Sequence, residues 1–311
     1  MKHLKDIVVE SFFDTELDDS KQFDKIIKEE IKQFLRDNYD GASRCKISKK
    51  LNADGKYVVD SKAKVEVRNP KITSLTNGAF VFGEVGGDFD CSNCKSLTSL
   101  EGAPQKVGGV FNCAWCINLV SLEYSPKEVG GGFSCKNCKS LTSLKGSPEE
   151  IGGGFFCAYC ESLTSLEGAP KKIRGSFMCF NCENLVSLKG APEVVGDFSC
   201  YDCINLTSLK GAPKEVRSGF YCSGCESLTS LEGAPKEVRE FSCSHCNSLT
   251  SLKGAPKEVK YRFHCFNCNS LTSLEGAPEK VGGDFNCRDC KTQFTEDDVR
   301  KVSEVGKTIE C

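Results

Sequence analysis

Hydrophobic positions along this chain follow two different periods. From Asp19 to about Asn38 the apolar residues Phe23, Ile26, Ile27, Ile31, Phe34 and Leu35 recur at helical spacing, and Asp19-Ser20 supply an N-cap. From Phe89 a longer unit takes over: Phe89-Asp90-Cys91-Ser92-Asn93-Cys94-Lys95-Ser96-Leu97-Thr98-Ser99-Leu100, followed by Pro104 and Val107. The phenylalanines that open each unit are Phe89, Phe111, Phe133, Phe155, Phe177, Phe198, Phe220, Phe241, Phe263 and Phe285, spaced by 22 residues seven times and by 21 twice. A fixed period of this size predicts a β-rich solenoid, whose coils bury their apolar faces only by stacking on one another.

The two short units say where the register is kept. In most units a valine or isoleucine stands four residues before the Phe, as Val107 does to Phe111, but Val195 and Val238 stand three before Phe198 and Phe241. A slip inside the Phe strand would turn every side chain to the wrong face, so the extra residue is expected in the bend before it. Inserts such as Gly86-Gly87 and Gly130-Gly131-Gly132 suit a bulge or tight turn there.

Both ends of the array depart from the pattern. Tyr57-Val58-Val59 and Val65-Glu66-Val67 read as short strands, and Ile72-Thr73-Ser74-Leu75 repeats Leu-Thr-Ser-Leu without the cysteines. Residues 56–88 are therefore expected to form a degenerate first coil, after a helical head at 1–55. A ten-coil array at 89–290 follows. In the last stretch, 291–311, Thr295 and Asp298 make a capping-box-like helix start, and Val305 to Cys311 repeats Val281 to Cys287 with Ile for Phe. Modified terminal units are what an open stack needs to cover its ends.

Charge excludes some partners. With 41 Lys+Arg against 43 Asp+Glu, no broad basic surface for nucleic acid or membrane is expected. Met1 to Glu10 lacks the apolar core of a secretory signal, and no apolar run approaches the roughly 20 residues of a membrane span. A cytoplasmic protein with free thiols is the expectation. The 22 cysteines then divide by the period: two per coil over ten coils, Cys311 at the same position in the cap, and Cys45 alone outside.

Three readings of the CxxC pairs, Cys91/Cys94 to Cys287/Cys290, stay open from the residues. They are small buried core residues, or four-cysteine zinc or iron-sulfur sites assembled from neighbouring coils, or disulfides. The first needs no cofactor and is adopted here; a metal-binding or thiol-redox protein is the alternative. No catalytic arrangement stands out. His245 and His264 sit one coil apart, but the thiols near them belong to the repeat. The glycine inserts lack the Lys-Ser/Thr of a phosphate loop.

The run Cys94-Lys95-Ser96-Leu97-Thr98-Ser99-Leu100 with Pro104 and Val107 resembles the unit of bacterial surface-antigen leucine-rich repeats. Val238 to Cys246 is similar to the general leucine-rich-repeat core, with Phe241 and Cys243 at two of the leucine positions. As a whole, 56–311 resembles cysteine-rich leucine-rich-repeat proteins of bacteriophages and gut bacteria. The resemblance implies a leucine-rich-repeat-like fold in which Cys246 and its equivalents face backbone groups of the turn. Bacterial leucine-rich-repeat effectors that transfer ubiquitin carry a separate catalytic domain after the repeats, whereas only a cap is expected after this array. Met1 to Phe13, followed by acidic Asp14 to Asp19, is similar to the leading peptides of some phage virion proteins.

Function is sought where the repeat varies. Residues after each Phe point outward by strand alternation, and that column includes Phe156, Met178, Tyr221 and His264; positions between the cysteines add Trp115, Tyr159, Phe180, Tyr201, His245 and Phe266. Aromatic and adaptable polar groups on a fixed scaffold are the composition of a protein-binding face. By contrast, Glu101, Glu123, Lys145, Glu167 and their successors mostly alternate in sign between coils, which suits a solvated, register-keeping face. The expected function is a non-enzymatic protein-protein interaction module, phage-encoded, acting on a host or virion protein in the host cytoplasm or virion.

Overall fold

The computed structural model describes residues 19–311. The leading segment expected at Met1 to Phe13 and most of the acidic stretch after it lie outside them, as does the side-chain cap expected of Asp19-Ser20. Helix α1 (Asp19–Asn38) is the one the periodicity predicts. Ile31 and Leu35 are buried, and Phe34 packs edge-on to Phe80 at 5.9 Å. Ile26 is the exception, 47% exposed. It stands five residues before Ile31, about 140° round the helix, off the packed stripe.

After the helix come β1 (Tyr39–Asp40), β2 (Cys45–Ile47), β3 (Tyr57–Ser61) and β4 (Val65–Val67). β3 and β4 do not pair with each other. They are the first rungs of two ladders that run the length of the molecule: β4 lies parallel to Phe89–Asp90, and β3 lies parallel to Phe80–Val85. β1 and β2 close the outer sides of these rungs antiparallel. Val65 thus stands where later coils place Phe.

Each regular coil contributes two short strands. One ladder stacks the Phe strands in register, Phe89 on Phe111 and so on to Phe285, and ends with Ile309 on Phe285. The other stacks the strands that end in the valine or isoleucine, such as Lys106–Val107, Glu128–Val129 and Glu150–Ile151. This second ladder is interrupted between Lys172–Ile173 and Val194–Val195, in the coil where the period first drops to 21. Further on, the one-residue difference is taken up by a bulge: Val238 pairs with Val259, but Glu240 pairs with Arg262. The Phe register is restored by the next pair, Phe241 on Phe263. The extra residue sits in the bend, where the alternation argument put it.

Inside the coils, Phe, both cysteines, both leucines and the valine are buried, with exposures at or near zero, Cys290 of the last coil excepted. Neighbouring Phe rings stack with centroids 5.0–5.7 Å apart from Phe89 to Phe285. Burying one such side chain is worth about 1.5–3 kcal/mol, and an isolated coil has nothing to bury it against. The stack closes on α2 (Glu296–Arg300), which carries the predicted capping box: the Thr295 side chain accepts from the Asp298 N–H, and the Asp298 side chain accepts from the Thr295 N–H. No described helix is long and apolar enough to cross a membrane.

Candidate protein-contact face

The turn between the two cysteines determines how the variable residues are displayed. Its second residue has a left-handed backbone in every regular coil, with φ between 54° and 71°. Seven coils fill it with residues suited to that conformation: Asn93, Asn137, Asn181, Asn267, Asp202, Asp289 and Gly224. The other three place a ring there, Trp115, Tyr159 and His245. Bulky residues are rare in this region and held there under strain. What holds them is the stack: the Trp115 N–H donates to the Lys136 carbonyl at 2.7 Å and the Tyr159 N–H to the Phe180 carbonyl at 2.9 Å. In these three coils the residue before the ring is small and buried, Ala114, Ala158 or Ser244. Where the first position holds the ring instead, as in Phe180, Tyr201 and Phe266, the second is Asn or Asp. Each of these six turns thus shows one ring.

Two groups of rings result. In the first, Tyr159 meets Phe180 edge-on at 5.5 Å, Phe180 stacks on Tyr201 at 4.4 Å, and the Lys136 ammonium lies 5.1 Å from the centre of the Tyr159 ring. In the second, Phe266 lies between His245 and His264, at 5.3 and 6.0 Å, with the Arg288 guanidinium over its ring. Burial lowers the His264 pKa, with the nearby Arg262 charge adding to the effect. Ser223-Gly224 separates the two groups. Trp115 stands apart from both, 45% exposed.

Three expected site residues lie elsewhere. Phe156 and Tyr221 fold back over the bend, against Gly154 and Gly219 respectively. The Tyr221 hydroxyl also donates to Glu240 at 3.0 Å, and burial pushes its pKa up to about 12. Met178 is half-buried in the strand column beside Phe156. One residue was missed. At the turn after the second leucine, glycines such as Gly102, Gly146 and Gly168 take positive φ, and Tyr124 alone replaces them, at φ 67° and 62% exposed. The substitution of Tyr for Gly in an otherwise regular turn was its signal in the sequence. With Val110 and Val120 exposed as well, one coil carries four exposed large apolar groups.

Charge separates this face from its neighbour. Across the coils opened by Phe111, Phe133, Phe155 and Phe177, the positions flanking each Phe and the two between the cysteines hold one charged residue, Lys136. In the second ladder the matching pairs are Gln105-Lys106, Lys127-Glu128, Glu149-Glu150 and Lys171-Lys172, all charged but one. Inter-coil ion pairs such as Lys106–Glu128 at 3.2 Å and Lys139–Glu161 at 2.5 Å occupy the charged surfaces.

The thiols face the other way. In nine successive steps the second cysteine of a coil donates its S–H to the carbonyl of the first cysteine one coil back, as Cys116 to Cys91 and Cys160 to Cys135, at 3.1–3.3 Å. The strand stops at that carbonyl, and the thiol caps it. Burial pushes Cys94 up to about 12 and holds Cys135, Cys157 and Cys179 well above the usual thiol range. Among the described residues, no group of three or more His, Cys, Asp or Glu side chains is arranged to hold a metal ion.

Among solved structures, the chain is similar to a leucine-rich repeat protein from Bacteroides ovatus ATCC 8483, at 14% identity and a TM-score of 0.30, over 86% of this chain and 98% of that one. No family model matches the chain. No curated protein matches it either.

Proposed function

We propose that this chain is a non-enzymatic protein-interaction module whose contact face runs from Trp115 to Tyr201. One observation carries the reading: on outward columns that hold one charge, Lys136, over the four coils opened by Phe111 to Phe177, the solenoid puts Trp115 and Tyr159 on left-handed positions that most coils give to Asn, Asp or Gly. Charge depletion with enriched Trp, Tyr and Phe marks the core of a protein interface. The surrounding Asn, Ser and Gly supply adaptable polar contacts. Phe180 and Tyr201 cover one ring face of each other, and the small Ser223-Gly224 of the next coil follows Tyr201, so this end of the group offers a partner the Tyr201 ring and its hydroxyl. A host or virion protein met in the cytoplasm, with a phage as the source of the chain, belongs to the same proposal.

The test compares two faces. Affinity capture is run with the intact chain, with Trp115→Ala/Phe180→Ala, and with Lys106→Ala/Glu128→Ala on the charged face. Loss of the same captured protein with the first variant alone supports the reading. Capture that survives the first variant, or fails equally with the second, overturns it.

A further inference from the structure

A separate feature lies at the N-terminal end, away from the aromatic rings. Among the described residues β2 is the outermost strand of the second ladder, with β3 on one side and no described strand on the other. Lys46 faces Asp60 in that pairing, and the Ser48 N–H donates to the Val58 carbonyl at 2.8 Å. Bonded and non-bonded pairs alternate between antiparallel strands, so the backbone groups of Cys45 and Ile47 are directed away from β3. The Cys45 N–H turns back to the Ala42 carbonyl. An edge of this kind is a template on which an extended chain adds a strand.

A cleft of about 500 Å³ opens between this edge and α1. Its helix wall carries Lys28, Lys32 and Arg36, its strand wall carries Cys45, Ile47 and Lys49, and no carboxylate lines it. Lys28 and Lys32 pair with Asp24 and Glu29 on their own helix, each at 2.7 Å. Arg36 donates to the Gln33 amide oxygen at 2.8 Å, and neither Arg36 nor Lys49 forms an ion pair with a described carboxylate. The strand segment itself is one-signed: Arg44, Lys46, Lys49 and Lys50 fall between Gly41 and Ala53 with no acidic residue among them. Basic residues on an edge strand deter a second copy of the same edge, since like charges would face each other. The same charges favour an acidic strand.

We propose that the β2 edge and this cleft dock an extended acidic segment of another protein, which adds a strand beside Cys45–Ile47 and sets its carboxylates toward Arg36 and Lys49. Fluorescence anisotropy on the full chain tests this with a labelled peptide of about ten residues, alternating Glu and Val. The expected result is saturable binding of this peptide and none of its Lys-Val counterpart. N-methylation of alternate residues removes the backbone donors and is expected to weaken binding at least about tenfold. Arg36→Glu/Lys49→Glu, and Lys49→Glu alone should the double variant fail to fold by circular dichroism, are expected to weaken it at least about tenfold. Equal binding of the N-methylated peptide overturns strand addition. Unchanged binding to a folded variant overturns the cleft. Equally tight binding of a single-stranded oligonucleotide overturns the peptide in favour of a general polyanion site, and failure of the acidic peptide to bind at low salt overturns the proposal outright.

Discussion

At the scale of single residues, what distinguishes Trp115 is its backbone. A left-handed conformation costs an L-residue with a bulky side chain about 1 kcal/mol or more, and Asn tolerates it through its short polar side chain. Asn fills the same position in four coils. Among the described residues Trp115 has no ring partner to repay the strain, unlike Tyr159 with Phe180. Trp115→Asn is therefore expected to raise the stability of the folded chain by up to about 1 kcal/mol, read as a higher urea midpoint, while weakening partner capture. A residue kept for packing would behave oppositely: a drop in the midpoint with capture unchanged would assign Trp115 to the fold. The thiols show the converse case. Cys182 gives a weak hydrogen bond to the Cys157 carbonyl at 3.2 Å and fills a small buried space, and neither task calls for reactivity.

At the scale of the coil, the two strands and the bend between them have different tolerances. The Phe strand fixes which side chains point inward, whereas the bend has already accepted one residue more or less, as the bulge between Val238–Glu240 and Val259–Arg262 shows. Inserting one Gly between Val195 and Gly196 would lengthen a short coil to the common period and is expected to cost less than about 1 kcal/mol. Inserting one Gly between Phe198 and Ser199 would turn Cys200 outward, and is expected to abolish cooperative unfolding by circular dichroism. Comparable losses from both insertions would show that the bend is as rigid as the strand. This asymmetry was legible in the sequence because the spacing itself varies there, and the inward positions and both end units were legible because they repeat. The left-handed turn was not, although Asn, Asp and Gly at seven of ten positions encoded it. Trp115, Tyr159 and His245 hid it, since the outward alternation explains a ring there equally well. The division of the aromatic column into two groups, with Phe156 and Tyr221 turned back over glycines, depends on side-chain directions that periodicity does not carry.

For the whole molecule, a stack of coils that each touch only their neighbours behaves as a nearly one-dimensional system, so opening is expected to start at an end and spread inward. The cysteines make this measurable, because each regular coil holds its own pair. Nineteen of the 22 are buried in the folded chain, while Cys45 and Cys290 are half-buried and Cys311 is exposed. A buried thiol with a raised pKa reacts with an alkylating reagent only when its coil opens. Timed alkylation under native conditions, read by mass spectrometry, is therefore expected to label Cys311 first and Cys290 and Cys45 next. Cys287 and the Cys265/Cys268 pair should follow, with Cys179 and Cys182 in the central coils last. At the other end Cys91 is expected to be slower than Cys287, because β1, β4 and Tyr39, which the Phe89 ring meets at 6.4 Å, lie over the first regular coil. Simultaneous labelling of all nineteen buried thiols would mean that the array unfolds as a single unit. The coupling between coils, through the Phe stack and the S–H to carbonyl steps, would then be stronger than nearest-neighbour stacking supplies.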